Sequence, residues 1–181
     1  MSHTTEKAFT PLNIAVLTVS DTRTPETDTS GDTLVERLEK AGHTLIERDI
    51  VKDNIYLLRA RVSLWIADVD IQVVLLTGGT GFSHRDSTPE AISPLLDKHI
   101  EGFGELFRQL SHEEIGTSTI QSRALGGLAN GTLIFCLPGS TGACKTGWDR
   151  IICEQLDARH RPCNFVGTLQ QALETRRTEQ G

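Results

Sequence analysis

The 181-residue sequence contains no apolar run near the ~20 residues that a membrane-spanning helix requires, and none of its four cysteines stands in a C-x-x-C pair. The first absence excludes a bundle of spanning helices, and the second removes the commonest zinc and dithiol signatures. A basic excess is missing too. Lys and Arg number 18 against 24 Asp and Glu, a formal charge of −6, which argues against nonspecific binding to nucleic acid or to an anionic membrane. Internal repeats, low-complexity blocks and linker-like stretches are absent, so a single domain is expected. The opening "MSHTTEKAFTPL" has neither a basic region nor an apolar core, and a cytosolic chain with reduced thiols is the expectation. Cys136 lies inside the strand-like "LIFC", and neither Cys144 nor Cys163 carries a nucleophile signature.

What is present is an alternation of two periodicities. "LNIAVLTVS" (12–20), "HTLIERDIV" (43–51) and "IQVVLLT" (71–77) read as strands, the first and third apolar enough to be buried on both faces. Between them, Leu34, Val35, Leu38 and Ala41 recur at helical spacing and stop at Gly42, and Ile55, Leu58, Val62, Trp65 and Ile66 mark a second helix. Further helices are expected from Pro89 to Leu96, from Glu101 to Glu114 with Phe103, Leu106, Phe107 and Leu110 on the buried side, and after "PGST" through Trp148, Ile151 and Ile152. "SRALGGLANGTLIFCLPGS" reads as two strands around Asn130-Gly131, a hairpin signal. The pattern predicts an α/β three-layer sandwich, with a mostly parallel sheet and an antiparallel edge hairpin. Residues 1–11 and 166–181 are expected to be flexible, and the chain after Leu156 irregular.

In such sheets ligands bind beyond the carboxyl ends of the strands. Three segments should meet there: 20–31, 77–88 and 138–141. The second contains "TGGTG", whose Gly78, Gly79 and Gly81 permit positive φ and close approach of a ligand to the main chain, with Thr77 and Thr80 offering hydroxyls. A phosphate is the natural guest, and Thr88-Pro89-Glu90 predicts a helix N-terminus with Thr88 as its cap. A tight turn without a ligand is the alternative that the glycines alone leave open. Two familiar phosphate motifs fail. "GTGFSH" puts His84 where a dinucleotide fingerprint needs its last glycine, and "GSTGACKT" (139–146) puts Cys144 where a P-loop needs one. A helix capped by Ser140 or Thr141, with Lys145 exposed, is the plainer reading of the latter, although the amides of Gly139 and Ser140 remain able to meet an anion. Asp86, Asp53 and Asp21 are expected at the same sheet edge. Carboxylates beside a phosphate repel it unless a cation such as Mg²⁺ intervenes; helix capping or solvation is the alternative role for each, and it suits Asp21 better than Asp86. Arg85 is expected either to clamp phosphate or to lie solvated beside Asp86.

"TGGTGFSHRDSTPEA", "GFGELFR", "GTSTIQSRALGGL" and "LPGS", agreeing in order and spacing, resemble the MoaB/MogA family of molybdenum cofactor biosynthesis, and "QLDARHRPCNF" is similar to its MoaB branch. The resemblance covers about Leu12 to Phe165. It implies the molybdopterin-binding fold, assembly as a homotrimer or a hexamer of two trimers, and Mg²⁺-ATP-dependent adenylylation of molybdopterin with loss of pyrophosphate. A catalytically silent molybdopterin-binding or scaffold protein of the same pathway is the alternative within the family, and a stand-alone NTPase on "GSTGACKT" is a further one. Carried over by motif, Asp86 and Asp53 match the two essential, metal-holding aspartates. Thr77, Gly78, Gly79, Thr80 and Gly81 match the nucleotide-contacting loop, Ser20 and Asp21 the Ser-Asp after the first strand, and Gly139 and Ser140 the turn after the last. Lys52 departs from the pattern, since MogA-like members commonly have proline before the aspartate.

Overall fold

The computed structural model describes residues 7–180. Six strands form one sheet in the order β2-β1-β3-β6-β5-β4, with β1 at Asn13–Val19, β2 at Thr44–Val51, β3 at Val73–Thr77, β4 at Lys98–His99, β5 at Leu125–Ala129 and β6 at Thr132–Leu137. β2, β1, β3 and β6 run parallel, while β5 and β4 add an antiparallel edge. The turn between β5 and β6 places Asn130 at φ 47° and Gly131 at φ 77°, as an Asn-Gly hairpin requires.

Strand alternation divides the core into two layers. Ile14 and Val16 of β1, Val73 and Leu75 of β3 and Leu133 and Phe135 of β6 pack with Leu34, Leu38, Phe103, Phe107 and Trp148. The intervening Ala15, Leu17, Val74, Leu76, Ile134 and Cys136 pack with Leu58, Val62, Trp65, Ala91 and Ile92 on the other face. Helices α1 (Thr29–Lys40), α4 (Glu101–Ile115) and α5 (Thr141–Gly147) therefore cover one face, and α2 (Ile55–Ala67) and α3 (Thr88–Ile92) the other. The three-layer α/β sandwich is as the periodicity predicts.

Local caps fix the helix starts. Asp28 accepts the Gly31 N–H at 3.0 Å at the head of α1, and Asn54 accepts those of Tyr56 and Leu57 at 3.0 and 3.1 Å at the head of α2. α5 continues through a π-turn at Trp148–Ile152 into α6 (Cys153–Gln155), a widening that the periodicity does not announce.

Four expectations are corrected. Ser87 rather than Thr88 holds the N-cap position of α3, without a side-chain cap bond, and the helix tightens into a 3₁₀ turn at Ser93–Leu95. Leu106 is left 42% exposed, whereas Phe103, Phe107 and Leu110 are buried, because the i, i+4, i+7 row faces the sheet and the i+3 position sits at its margin. β4 goes unread because two polar residues carry no strand pattern. The tail is not irregular over Val166–Gln180, which forms α7. Val166 and Leu169 are buried there, and the buried Arg176 guanidinium donates to the carbonyls of Ile66 and Asp68 at 2.9 and 2.8 Å, closing the end of α2. At the other end, residues 1–6 lie outside the described residues, while Phe9 packs on His43 at 5.2 Å between ring centroids. No helix among the described residues is long and apolar enough to cross a membrane.

Candidate active site

Because β1, β2, β3 and β6 are parallel, their carboxyl ends share one edge, and the chain reverses its direction across the sheet between β1 and β3. The loops leaving these strands touch. Gly78 donates its N–H to the Leu137 carbonyl at 2.9 Å, and Thr77 Oγ1 donates to the Pro138 carbonyl at 3.0 Å. Gly78 has φ 108°, and an added Cβ would lie 2.2 Å from the Val19 carbonyl oxygen; at Gly79, with φ 68°, a Cβ would lie 2.4 Å from Thr88 Oγ1 and 2.6 Å from Asp53 Oδ2. No L side chain fits either position. Gly81 departs from the expectation, since its φ is not positive; a Cβ there would press on Asp86 Oδ2 at 2.9 Å.

The amides of Gly79, Thr80 and Gly81 have no hydrogen-bond partner among the described residues, and neither have those of Gly139 and Ser140. They are free donors beside one sheet edge, an arrangement able to meet an anion. At the head of α3 the first two amides are already engaged. Ser87 N–H donates to Asp53 Oδ1 at 3.0 Å and Thr88 N–H to the Gly79 carbonyl at 3.0 Å, while Thr88 Oγ1 donates to the Gly78 carbonyl at 2.8 Å.

Beside these amides opens a cleft of about 460 Å³. Ser20, all five residues from Thr77 to Gly81, Asp86, Gly139 and Ser140 line it. Ser20 Oγ accepts the N–H groups of Thr22 and Arg23 at 3.2 and 3.1 Å, which turns the chain so that Arg23 reaches the same cleft. Asp53 and Asp21 stand at its margin rather than in its lining.

The three aspartates do converge. Asp53 N–H donates to Asp21 Oδ1 at 3.2 Å, the Asp53 carboxylate accepts the Ser87 amide and hydroxyl, and Asp86 Oδ2 accepts the Ser83 N–H at 2.7 Å. Arg85 pairs with Asp21 at 2.6 Å rather than with Asp86. Asp21 is accordingly held below the usual carboxylate range by its hydrogen bond from Arg85. Asp53 is pushed the other way: burial raises it most, the Ser87 bonds oppose, and the charges of Asp86 and Asp21 raise it further. Neither Asp53 nor Asp86 has a basic partner within 4 Å among the described residues. Among the described residues no three His, Cys, Asp or Glu side chains are arranged to hold a metal ion by themselves. An uncompensated pair of carboxylates beside free amides is nevertheless the donor set that Mg²⁺ takes up together with phosphate oxygens.

The P-loop alternative has no support in the geometry. Lys145 is exposed and does not line the cleft, and Ser140 caps α5 by accepting the Ala143 N–H at 3.1 Å. Cys144 is buried behind the loop, its Sγ donating to Thr77 Oγ1 at 3.2 Å, and burial pushes the thiol up to about 11.

Sequence reasoning missed two contributors. Arg123 binds the glycine loop from below, donating to the carbonyls of Gly81 and Asp86 at 2.9 and 3.1 Å and pairing with Glu90. The 3₁₀ segment Gly116–Gln121 and the residue after it bring Ser118, Gln121 and Ser122 to the far wall of the cleft, and Ser122 Oγ is buried without a hydrogen-bond partner. The hydroxyl-rich "GTSTIQS" was the available signal.

Comparison with known proteins agrees with this geometry. Residues 15–158 match the family described as a probable molybdopterin binding domain. The chain is 60% identical over 157 residues to molybdenum cofactor biosynthesis protein B of Escherichia coli K12, covering 87% of this chain and 92% of that one. It is 45% identical to the protein of the same name from Bacillus cereus, covering 86% and 94%. A crystal structure of a molybdenum cofactor biosynthesis protein B superposes with a TM-score of 0.82 at 40% identity, over 93% of this chain and 99% of the other. The tungsten cofactor synthesizing protein MoaB from Pyrococcus furiosus superposes with a TM-score of 0.67 at 36% identity, over 80% and 92%.

Proposed function

The chain belongs to the MoaB/MogA family of molybdenum cofactor biosynthesis proteins, and on that premise we propose that it adenylylates molybdopterin. In this reading a terminal phosphate oxygen of molybdopterin attacks the α-phosphorus of ATP, the bond from that phosphorus to the α,β-bridging oxygen breaks, and its electron pair leaves with pyrophosphate. A phosphate oxygen is already ionised near neutral pH, so no strong base is required. Alignment and charge neutralisation are what the protein has to supply.

The observation that carries the reading is the meeting, at one sheet edge, of three unpartnered loop amides with two aspartates that lack a basic partner. The amides of Gly79, Thr80 and Gly81 would receive phosphoryl oxygens. Asp86, in the cleft, and Asp53, at its margin, would hold Mg²⁺, which when bound neutralises charge on the phosphates. Arg85 orients Asp21 instead of touching substrate, and Asp21 in turn fixes the Asp53 backbone. The unpartnered Ser122 hydroxyl offers a polar contact on the opposite wall to the heterocyclic part of a substrate.

A trimer-based assembly is part of the proposal. The apolar face of α4 is no argument for it, since Phe103, Phe107 and Leu110 are buried within the chain. The support is family membership, together with Leu106, Ile115, Ile120 and Phe82 on the surface at 42, 54, 74 and 70% exposure. Light scattering at micromolar concentration is expected to give a multiple of three chains, and a monomer mass would contradict it.

The test of the activity is an omission series. Pyrophosphate is expected only when the purified protein, ATP, Mg²⁺ and molybdopterin are all present. Molybdopterin binding without pyrophosphate release would leave a binding protein of the same pathway, and release without the pterin would mark an NTPase.

A further inference from the structure

A second cavity of about 520 Å³ adjoins the cleft and shares Ser20 and Arg23 with it. Its charged lining is Asp21, Arg23, Arg48, Asp49 and Lys52. Three of these five are already neutralised. Arg48 pairs with Asp28 at 2.8 Å and Asp32 at 2.7 Å, Asp49 with Arg61 at 2.5 Å, and Asp21 with Arg85 at 2.6 Å. Arg23 and Lys52 have no acidic partner within 4 Å among the described residues.

The uncommitted charge of this cavity is therefore positive, whereas the cleft beside it offers neutral amides and hydroxyls, the carboxylate of Asp86, and Arg23 at the shared rim. Arg23 is not a loose surface cation. Its backbone is turned by Ser20 Oγ, and its guanidinium donates to the Thr27 carbonyl at 3.1 Å, within a loop closed by Thr24 N–H on Thr27 Oγ1 at 2.9 Å. Lys52 follows directly on β2 and precedes Asp53, so its position is tied to the aspartate pair.

Adenylyl transfer brings together two anionic substrates and expels a third anion, so a cavity of uncommitted positive charge that opens onto the cleft has the chemistry to seat one of them. On the reading of the site given above, we propose that the second cavity seats the β- and γ-phosphates of ATP, with Lys52 and Arg23 as their ligands, so that pyrophosphate leaves on the β2 side. The α-phosphate then lies where the loop amides of Gly79, Thr80 and Gly81 meet the rim formed by Ser20 and Arg23, and the rest of the cleft remains for the pterin. Lys52 thereby acquires a role as a nucleotide-positioning cation.

The experiment is calorimetric titration of the intact protein with inorganic pyrophosphate and, separately, with AMP, in about 0.15 M salt so that diffuse attraction is screened. Lys52→Gln is expected to weaken pyrophosphate about tenfold and Lys52→Arg to keep it within about threefold, the scale of one charge-assisted contact. AMP affinity and melting temperature should not change in either variant, and in turnover Lys52→Gln should raise KM for ATP more than it lowers kcat. Unchanged pyrophosphate affinity in Lys52→Gln, or no pyrophosphate binding by the unmutated protein, overturns the proposal. Molybdopterin-dependent turnover of the unmutated protein, measured alongside, separates the two ideas. Lys52-dependent pyrophosphate binding without turnover refutes adenylyl transfer and keeps the anion site, whereas turnover with Lys52-independent binding does the reverse.

Discussion

The loop after β3 and the short loop after β6 both contain glycine, both run from a strand into a helix, and both present unpartnered amides at the same sheet edge. They use their glycines differently. In the first, Gly78 and Gly79 take positive φ and leave no room for a Cβ, and the loop is held by Thr88 from above and Arg123 from below. In the second, Gly139 does not have positive φ, and neither has Gly142 in the first turn of α5, where a Cβ would meet nothing within 4 Å. The comparison teaches that a glycine count does not identify a phosphate site. A backbone shape that only glycine can take, with carboxylates placed to recruit a cation, is the more telling sign.

The largest way to break that contrast is Gly79→Val. A branched side chain there would collide with Thr88 Oγ1 and Asp53 Oδ2 and force the loop out of its φ 68° conformation. ATP binding measured by calorimetry is expected to fall below detection, while Gly142→Ala in the first turn of α5 leaves it intact. Equal losses from the two substitutions would remove the distinction.

Asp53→Asn probes the acidic side of the first loop, with opposite signs for stability and activity. The folded-state value of Asp53 is raised, so its contribution to stability is present below the ordinary carboxylate value and lost as pH rises through the raised one. At neutral pH the ionised group is thus a burden when no cation is bound. Asparagine keeps an acceptor for the Ser87 amide and removes the charge. Without divalent cations the melting temperature should rise by about 2 °C, a small shift because the half-buried group is partly screened by solvent. The gain should shrink as the pH is lowered toward 4, and turnover should be lost. A melting temperature lowered at pH 7 would show that the hydrogen bonds from Ser87 outweigh the repulsion.

The smallest effect belongs to the second loop. Lys145→Ala should leave ATP affinity within about threefold, because an exposed ammonium outside the cleft contributes little. A loss of about a hundredfold would restore the P-loop reading of "GSTGACKT".

The elements and the meeting of the three loops were legible because they rest on local periodicity and on a general rule for parallel sheets. Asp86 and Asp53 could be placed at the edge for the same reason. What stayed hidden depends on partners distant in the chain. Arg85 meets Asp21, 64 residues away, and Arg123 reaches Gly81 across 42. The helix over Val166–Gln180 was misread because few of its residues are apolar; it is held in part by Arg176, a charged residue that looks solvated until its carbonyl partners on α2 are known. Gly81 and Thr88 were misassigned in detail, since motif residues inside a short loop divide their tasks in ways that spacing does not encode.

The central claim is that the carboxylate of Asp86 at the end of the glycine loop serves transfer of adenylate to molybdopterin. Asp86→Asn preserves size and an acceptor for the Ser83 amide and removes the charge. The direct measurement is mass-spectrometric quantification of adenylylated molybdopterin formed from Mg²⁺-ATP and the pterin by the unmutated protein and by Asp86→Asn, with melting curves confirming that both are folded. The account predicts abundant product from the first and about a hundredfold less from the second, roughly 3 kcal/mol of transition-state stabilisation. Equal product from the two proteins, or none from the unmutated protein, would contradict it.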